Sequence, residues 1–185
     1  MKLKTSQKCV GKQEAVIMKF YIMAAIMLIF SSAAESQELF AKEAHPEEFC
    51  LALNIYHEAR GSNFADQLAV ADVVLNRVDD SRYPNSVCNV VYDGRHKPSW
   101  KDGSPVPIRN QCQFSWYCDG KSDDPKDTDS WRKAQQSAYM MMNYGDFRGI
   151  TEGATHYHAN YVSPSWARDF QLIGRIGDHI FYRWK

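Results

Sequence analysis

The longest uninterrupted apolar run, Phe20 to Phe30, lies near the start of the chain. Further on, apolar residues recur at helical spacing. Leu51, Ala52, Ile55, Tyr56 and Ala59 share one face of a helix. Pro46, Glu47 and Glu48 suit its first turn, because proline needs no donor there and acids favour the positive end of the dipole. Gly61 provides the stop. Phe64, Leu68, Ala71, Val74, Leu75 and Val78 predict a second helix over 64–78, capped by Ser62 or Asn63. A third is predicted near 130–143, capped by Thr128, Asp129 or Ser130 and ending before Gly145. Four shorter pieces, Val87 to Tyr92, Gln113 to Tyr117, Ala154 to Ala159 and Ile180 to Trp184, are aromatic or β-branched and read as strands. Helices and strands do not alternate, which argues against a doubly wound parallel sheet. The expected class is α+β, with helices packed beside a small sheet.

The apolar run at 20–30 follows Lys19 and ends in Ser31, Ser32, Ala33 and Ala34. A basic lead, a short apolar core and small residues at the end form an export signal, and eleven residues are few for a spanning helix. Residues 1–34 are therefore expected to be a signal peptide cleaved after Ala34, or an uncleaved anchor; Met18 is an alternative start. The 185 residues carry 22 basic and 22 acidic side chains. Without the first 34 they become 17 and 21, a net charge of −4 on 151 residues. That is one domain's worth of chain. It lacks the basic field that nucleic acid demands. Residues 35–46 are a polar lead-in, and 47–185 form the domain.

Outside the leader stand Cys50, Cys88, Cys112 and Cys118. An even count in an exported chain suggests two disulfides, with three connectivities open. No Cys-x-x-Cys pair is present, which disfavours a four-cysteine zinc site.

The sharpest local feature is Tyr56-His57-Glu58-Ala59-Arg60-Gly61. A zinc-protease helix needs a second histidine where Gly61 stands, so that motif fails. Glu58 falls in the last turn of the first helix, where the dipole disfavours a carboxylate. Tyr56 or Phe64 is expected to desolvate it, and both effects raise the pKa as a general acid requires. The plainer alternative is a helix-end glutamate paired with Arg60. His156 and His158 alternate onto one strand face and could bind zinc with His57, His96 or His179. Gln113-Phe114-Ser115-Trp116-Tyr117 mixes amide, hydroxyl and aromatic groups suited to a sugar, or to cross-strand packing. Five aspartates between 119 and 129 lack the spacing of a calcium loop, and Met140 to Met142 are core filler.

Several pieces together resemble the SleB-type cell-wall hydrolases, the spore-cortex-lytic enzyme family. They are LALNIYHEARG at 51–61, AVADVVLNRV at 69–78, YPNSVCNVVYD at 83–93, QFSW at 113–116, GATHYHA at 153–159 and IGDHIFYR at 176–183. The resemblance implies a lysozyme-like, transglycosylase-like α+β domain with a small antiparallel sheet. It also implies an enzyme acting on peptidoglycan glycan strands; from its leader the chain is expected to be exported, and it is expected to be monomeric. The family's acid/base glutamate falls on Glu58; His57 is not carried over. Gln113, Ser115, Trp116, Tyr157 and His158 are expected to line the glycan cleft. A single carboxylate suffices for a lytic transglycosylase that forms 1,6-anhydro-muramoyl ends, with no metal or cofactor. A hydrolytic muramidase, a zinc-dependent amidase using His156 and His158, and a non-catalytic glycan-binding module are the alternatives.

Overall fold

A computed structural model describes residues 42–185, so the leader at 1–34 and most of the lead-in lie outside the described residues. Residues 45–185 form one unit, organised around helix α1, Pro46–Ala59. Its consecutive residues Cys50 to Tyr56 are all buried, as is Ala59. Helix α1 is thus the core's axis and not an amphipathic cover, because neighbours surround it. Those neighbours are α2, Phe64–Asp79, the short α3, Val87–Val91, and α4, Thr128–Asn143. Asn63 caps α2, its side chain accepting from Asp66 N at 3.0 Å. Helix α4 begins two residues earlier than expected, and its cap is Asp127, which accepts from Asp129 N and Ser130 N.

Val87 to Tyr92 was expected as a strand and is α3. Ser86 Oγ accepts from Asn89 N, and Glu47 Oε2 accepts from Val87 N at 2.6 Å, so the short helix is capped twice. Val87, Val90 and Val91 then fall on one buried face, and Cys88 is bonded to Cys50 of α1. Tertiary partners have overridden β-branched propensity. The expected strand at 113–117 is instead a 3-10 turn, Ser115–Cys118, pulled compact by the Cys112–Cys118 disulfide. It buries Phe114 and Trp116.

Strands β1, Gly94–Pro98, and β2, Pro105–Cys112, form a separate hairpin. A Cβ on Gly94 would stand 2.9 Å from Cys112 Cα, so only glycine fits opposite that cysteine. The main sheet is antiparallel, in the order β3–β5–β4: His156–Ala159, His179–Arg183 and Gln171–Ile176. The second face of α2 meets this sheet through Ala69 and Val73, packed with Ala154 and Phe181. The buried Asp72 organises the approach to β3. It accepts from Arg148, Gly149 N, Thr151 N and Thr151 Oγ. No helix among the described residues is long and apolar enough to cross a membrane.

Candidate active site

Helix α1 delivers Glu58 to the seam where its C-terminal turn meets β3. Register decides what it meets there. Tyr157 lies opposite Phe181 in the ladder, and alternation turns both toward the helices. The Tyr157 hydroxyl donates to Glu58 Oε2 at 3.1 Å. Burial raises the Glu58 pKa; the Tyr157 hydrogen bond and the charges of His179 and Arg77 oppose that shift without cancelling it. The raised pKa agrees with the reading from the helix end, but its agents differ. Tyr56 turns away, its hydroxyl accepting from Lys126 N and Asp127 N. Phe64 is 46 % exposed and lies edge-on to Phe147, not on the buried face of α2 expected for it. No ion pair joins Arg60 to Glu58; Arg60 reaches Tyr56 at 3.4 Å.

Two further polar side chains, Arg77 and Asn54, are buried at this seam. Arg77 donates through Nε to Thr155 O at 2.8 Å and lies over the rings of Phe114 and Tyr83. Its Nη1 meets no acceptor among the described residues. The Asn54 amide accepts from Trp116 Nε1 at 3.1 Å, and its Nδ2 is likewise without a partner among the described residues. Neither residue was singled out from sequence. Arg77 sits in the recognised AVADVVLNRV stretch, yet a basic residue near a helix end reads as ordinary dipole compensation.

Trp116 is stacked on His57 with ring centroids 4.5 Å apart. Together they wall a cavity of about 360 Å³ that also touches Arg60, Lys121, Asp123 and Lys126. Gln113 and Ser115 are exposed beside it in the chain. His158 is not brought to Glu58. It faces the other side of the sheet, stacked on Tyr182 and hydrogen-bonded to its hydroxyl at 3.0 Å. His156 shares that outer side, against Phe170, Trp166 and Trp184. Burial, with Arg77 and Arg82 nearby, depresses the His156 pKa to about 4. The two histidines do share a face as strand alternation requires. Among the described residues, however, no group of three His, Cys, Asp or Glu side chains is placed to hold a metal.

Asp66 is fully buried and has both oxygens engaged, by His179 Nδ1 at 2.9 Å and by Asp178 N at 3.0 Å. Burial alone would raise its carboxyl, but these hydrogen bonds and the His179 charge hold it below the usual range. Asp119 pairs with Lys121, and the Asp178 side chain accepts from Ser62.

Comparison with known proteins places the chain in context. A family model described as Cell Wall Hydrolase matches residues 61–182, beginning three residues after Glu58. The Bacillus cereus spore cortex-lytic enzyme is 40 % identical over 131 residues, covering 71 % of this chain and 42 % of that protein. Its Bacillus subtilis counterpart is 25 % identical, over 71 % of this chain and 35 % of that protein. The chain thus spans well under half the length of these curated relatives. Among solved structures, the catalytic domain of the germination-specific lytic transglycosylase SleB from Bacillus anthracis aligns with a TM-score of 0.53 and 25 % identity. That alignment covers 74 % of this chain and 93 % of that domain.

Proposed function

This chain belongs to the Cell Wall Hydrolase family, and from that premise we propose that it cleaves peptidoglycan glycan strands as a lytic transglycosylase with Glu58 as its acid and base. The observation that carries the proposal is a helix-end carboxyl whose pKa burial raises while the Tyr157 hydroxyl donates to it. With Oε2 held by Tyr157, Oε1 is left for the substrate. Glu58 protonates the glycosidic oxygen between N-acetylmuramic acid and N-acetylglucosamine, and the C1–O bond breaks. The muramoyl 6-hydroxyl then attacks C1, and the Glu58 carboxylate takes its proton. The product is a 1,6-anhydro end, and the carboxyl is restored. The internal nucleophile is already tethered and needs no second carboxylate to activate a water.

Asp66 is unsuited to a nucleophile's part, since both its oxygens are occupied. The glycan is proposed to run past Gln113 and Ser115 toward the cavity walled by Trp116. His158 lies on the opposite sheet face and has no place in that path. Export is proposed as well, supported by the leader's pattern and by two disulfides, Cys50–Cys88 and Cys112–Cys118.

The test is digestion of purified peptidoglycan by the wild type and Glu58→Gln, with and without chelator, read by mass spectrometry. Anhydro-muramoyl ends that vanish in Glu58→Gln and ignore chelator support the proposal. Reducing muramic ends would make the protein a muramidase. Chelator-sensitive peptide cleavage would replace the mechanism altogether.

A further inference from the structure

The reading of Glu58 as the acid does not use a buried ion pair that lies beyond Tyr157, Asp66 with His179. We infer that His179, braced by Asp66, is a positioning residue that holds the Tyr157 ring so that its hydroxyl stays on Glu58. This inference rests on the reading of Glu58 given above.

Three elements build the brace. Asp66 sits in the first turn of α2 and is fully buried, with no lysine or arginine paired to it among the described residues. The turn between β4 and β5 is pressed onto it. Gly177 has φ +56°, and a Cβ there would stand 2.6 Å from Asp66 Cβ, so no other residue fits. That contact places Asp178 N on Asp66 Oδ2 and His179 Nδ1 on Asp66 Oδ1. The imidazole is thereby fixed in both position and ring orientation.

The other side of the His179 ring serves Tyr157. The two rings meet edge to face, with centroids 5.0 Å apart and planes at 78°. Phe181, also on the inner face, packs on Tyr157 at 5.7 Å. The Tyr157 ring is therefore gripped by His179 and Phe181, and its hydroxyl has Glu58 Oε2 as its acceptor. The titratable groups that bear on His179 are Asp66 from α2, Tyr157 from β3 and Glu58 from α1.

A buried carboxylate–imidazole pair is a poor way merely to fill a core. Apolar side chains of equal volume commonly serve stability as well or better. What such a pair adds is orientation, much as a carboxylate holds an imidazole in other catalytic sites. Here the oriented ring packs on the Tyr157 ring, whose hydroxyl touches Glu58, so the chain of contacts runs from the β4–β5 turn to the acid.

The experiment is a double-mutant cycle in the full chain: Tyr157→Phe, His179→Gln and the two combined, with turnover on soluble glycan strands measured across pH. Each single variant is expected to lower kcat about tenfold with KM within about twofold, and to move the alkaline limb of the kcat profile upward. The combination is expected to fall no more than about twofold below Tyr157→Phe, because His179 acts through a hydroxyl already gone. Asp66→Asn should repeat the behaviour of His179→Gln.

Multiplied losses of about a hundredfold would overturn the inference. So would a His179→Gln enzyme with unchanged kcat and unchanged limb. Loss of cooperative unfolding in both His179→Gln and Asp66→Asn would overturn it too, since the pair would then hold the fold and not the acid. Glu58→Gln separates this outcome from failure of the underlying reading. A fully active Glu58→Gln sinks the acid itself, whereas an inactive Glu58→Gln with an additive cycle sinks only the brace.

Discussion

The two faces of β3 are one residue apart in sequence and chemically unlike. The inner face offers Tyr157, whose hydroxyl reaches the carboxyl of Glu58. The outer face offers His156 and His158, set in a cluster with Trp166, Phe170, Tyr182 and Trp184. Both faces are rich in rings and titratable groups, so composition does not separate them. Connection to a helix-borne carboxyl does. The inner face is continuous with α1 and α2 through Glu58 and Asp66, while the outer face is partly covered by the 3-10 turn Ser165–Asp169 and by Trp184. A pH change on the inner face should therefore be read in activity, and one on the outer face in stability.

The strongest way to break this comparison is Glu58→Gln. It should lower glycan cleavage about a thousandfold or more while thermal unfolding stays near the wild type. An active Glu58→Gln would end the distinction. Tyr157→Phe comes next, with about a tenfold loss of kcat. Its hydrogen bond favours the charged carboxylate, so its removal raises the Glu58 pKa further, and the alkaline limb of the kcat profile should move to higher pH. A limb that moved down would reverse the assigned role of that hydroxyl.

On the outer face, Trp166→Ala removes a ring that meets His156, His158, Phe170 and Tyr182. It should cost about 2 kcal/mol of stability with kcat changed less than about twofold. Denaturant unfolding and a glycan assay on the same sample check both halves. The smallest effect belongs to His156. Its folded pKa of about 4 lies below the unfolded value, so the unfolded chain binds more protons between about pH 6.5 and 4. Its contribution is fully present above that window and is lost as pH falls through it. Because the ring is partly exposed and screened, the loss should be about 1 kcal/mol, read as the difference between wild type and His156→Phe across that range.

The three long helices were legible because their apolar spacing and caps lie within a few residues of one another. Asn63, Pro46 and Gly61 act locally, and the helices at 46–59, 64–79 and 128–143 begin and end close to where those signals put them. The strands at 156–159 and 179–183 were legible for the same reason. Strands β1, β2 and β4 were missed, because they are largely exposed, carry Pro98, Pro105, Pro107 or Gly174, and show no alternation of buried and exposed positions. The misassignment of 87–91 came from reading valines without Glu47, 40 residues away, which caps that helix.

Taken alone, the sequence determined that the chain has an α+β core, that Glu58 lies at a helix end where ionisation is disfavoured, and that the cysteines beyond residue 34 are even in number. These follow from short-range periodicity, the helix dipole and counting. Only the tertiary structure decided that Tyr157, 99 residues from Glu58, donates a hydrogen bond to it, and that Cys50 pairs with Cys88 and Cys112 with Cys118. Which face of β3 meets the helices, that of Tyr157 and not that of His158, was decided there too. A register of strand pairing and the burial of a carboxyl are long-range properties. Desolvation and hydrogen-bond geometry depend on which atoms meet across the fold, and no spacing along the chain encodes that distance.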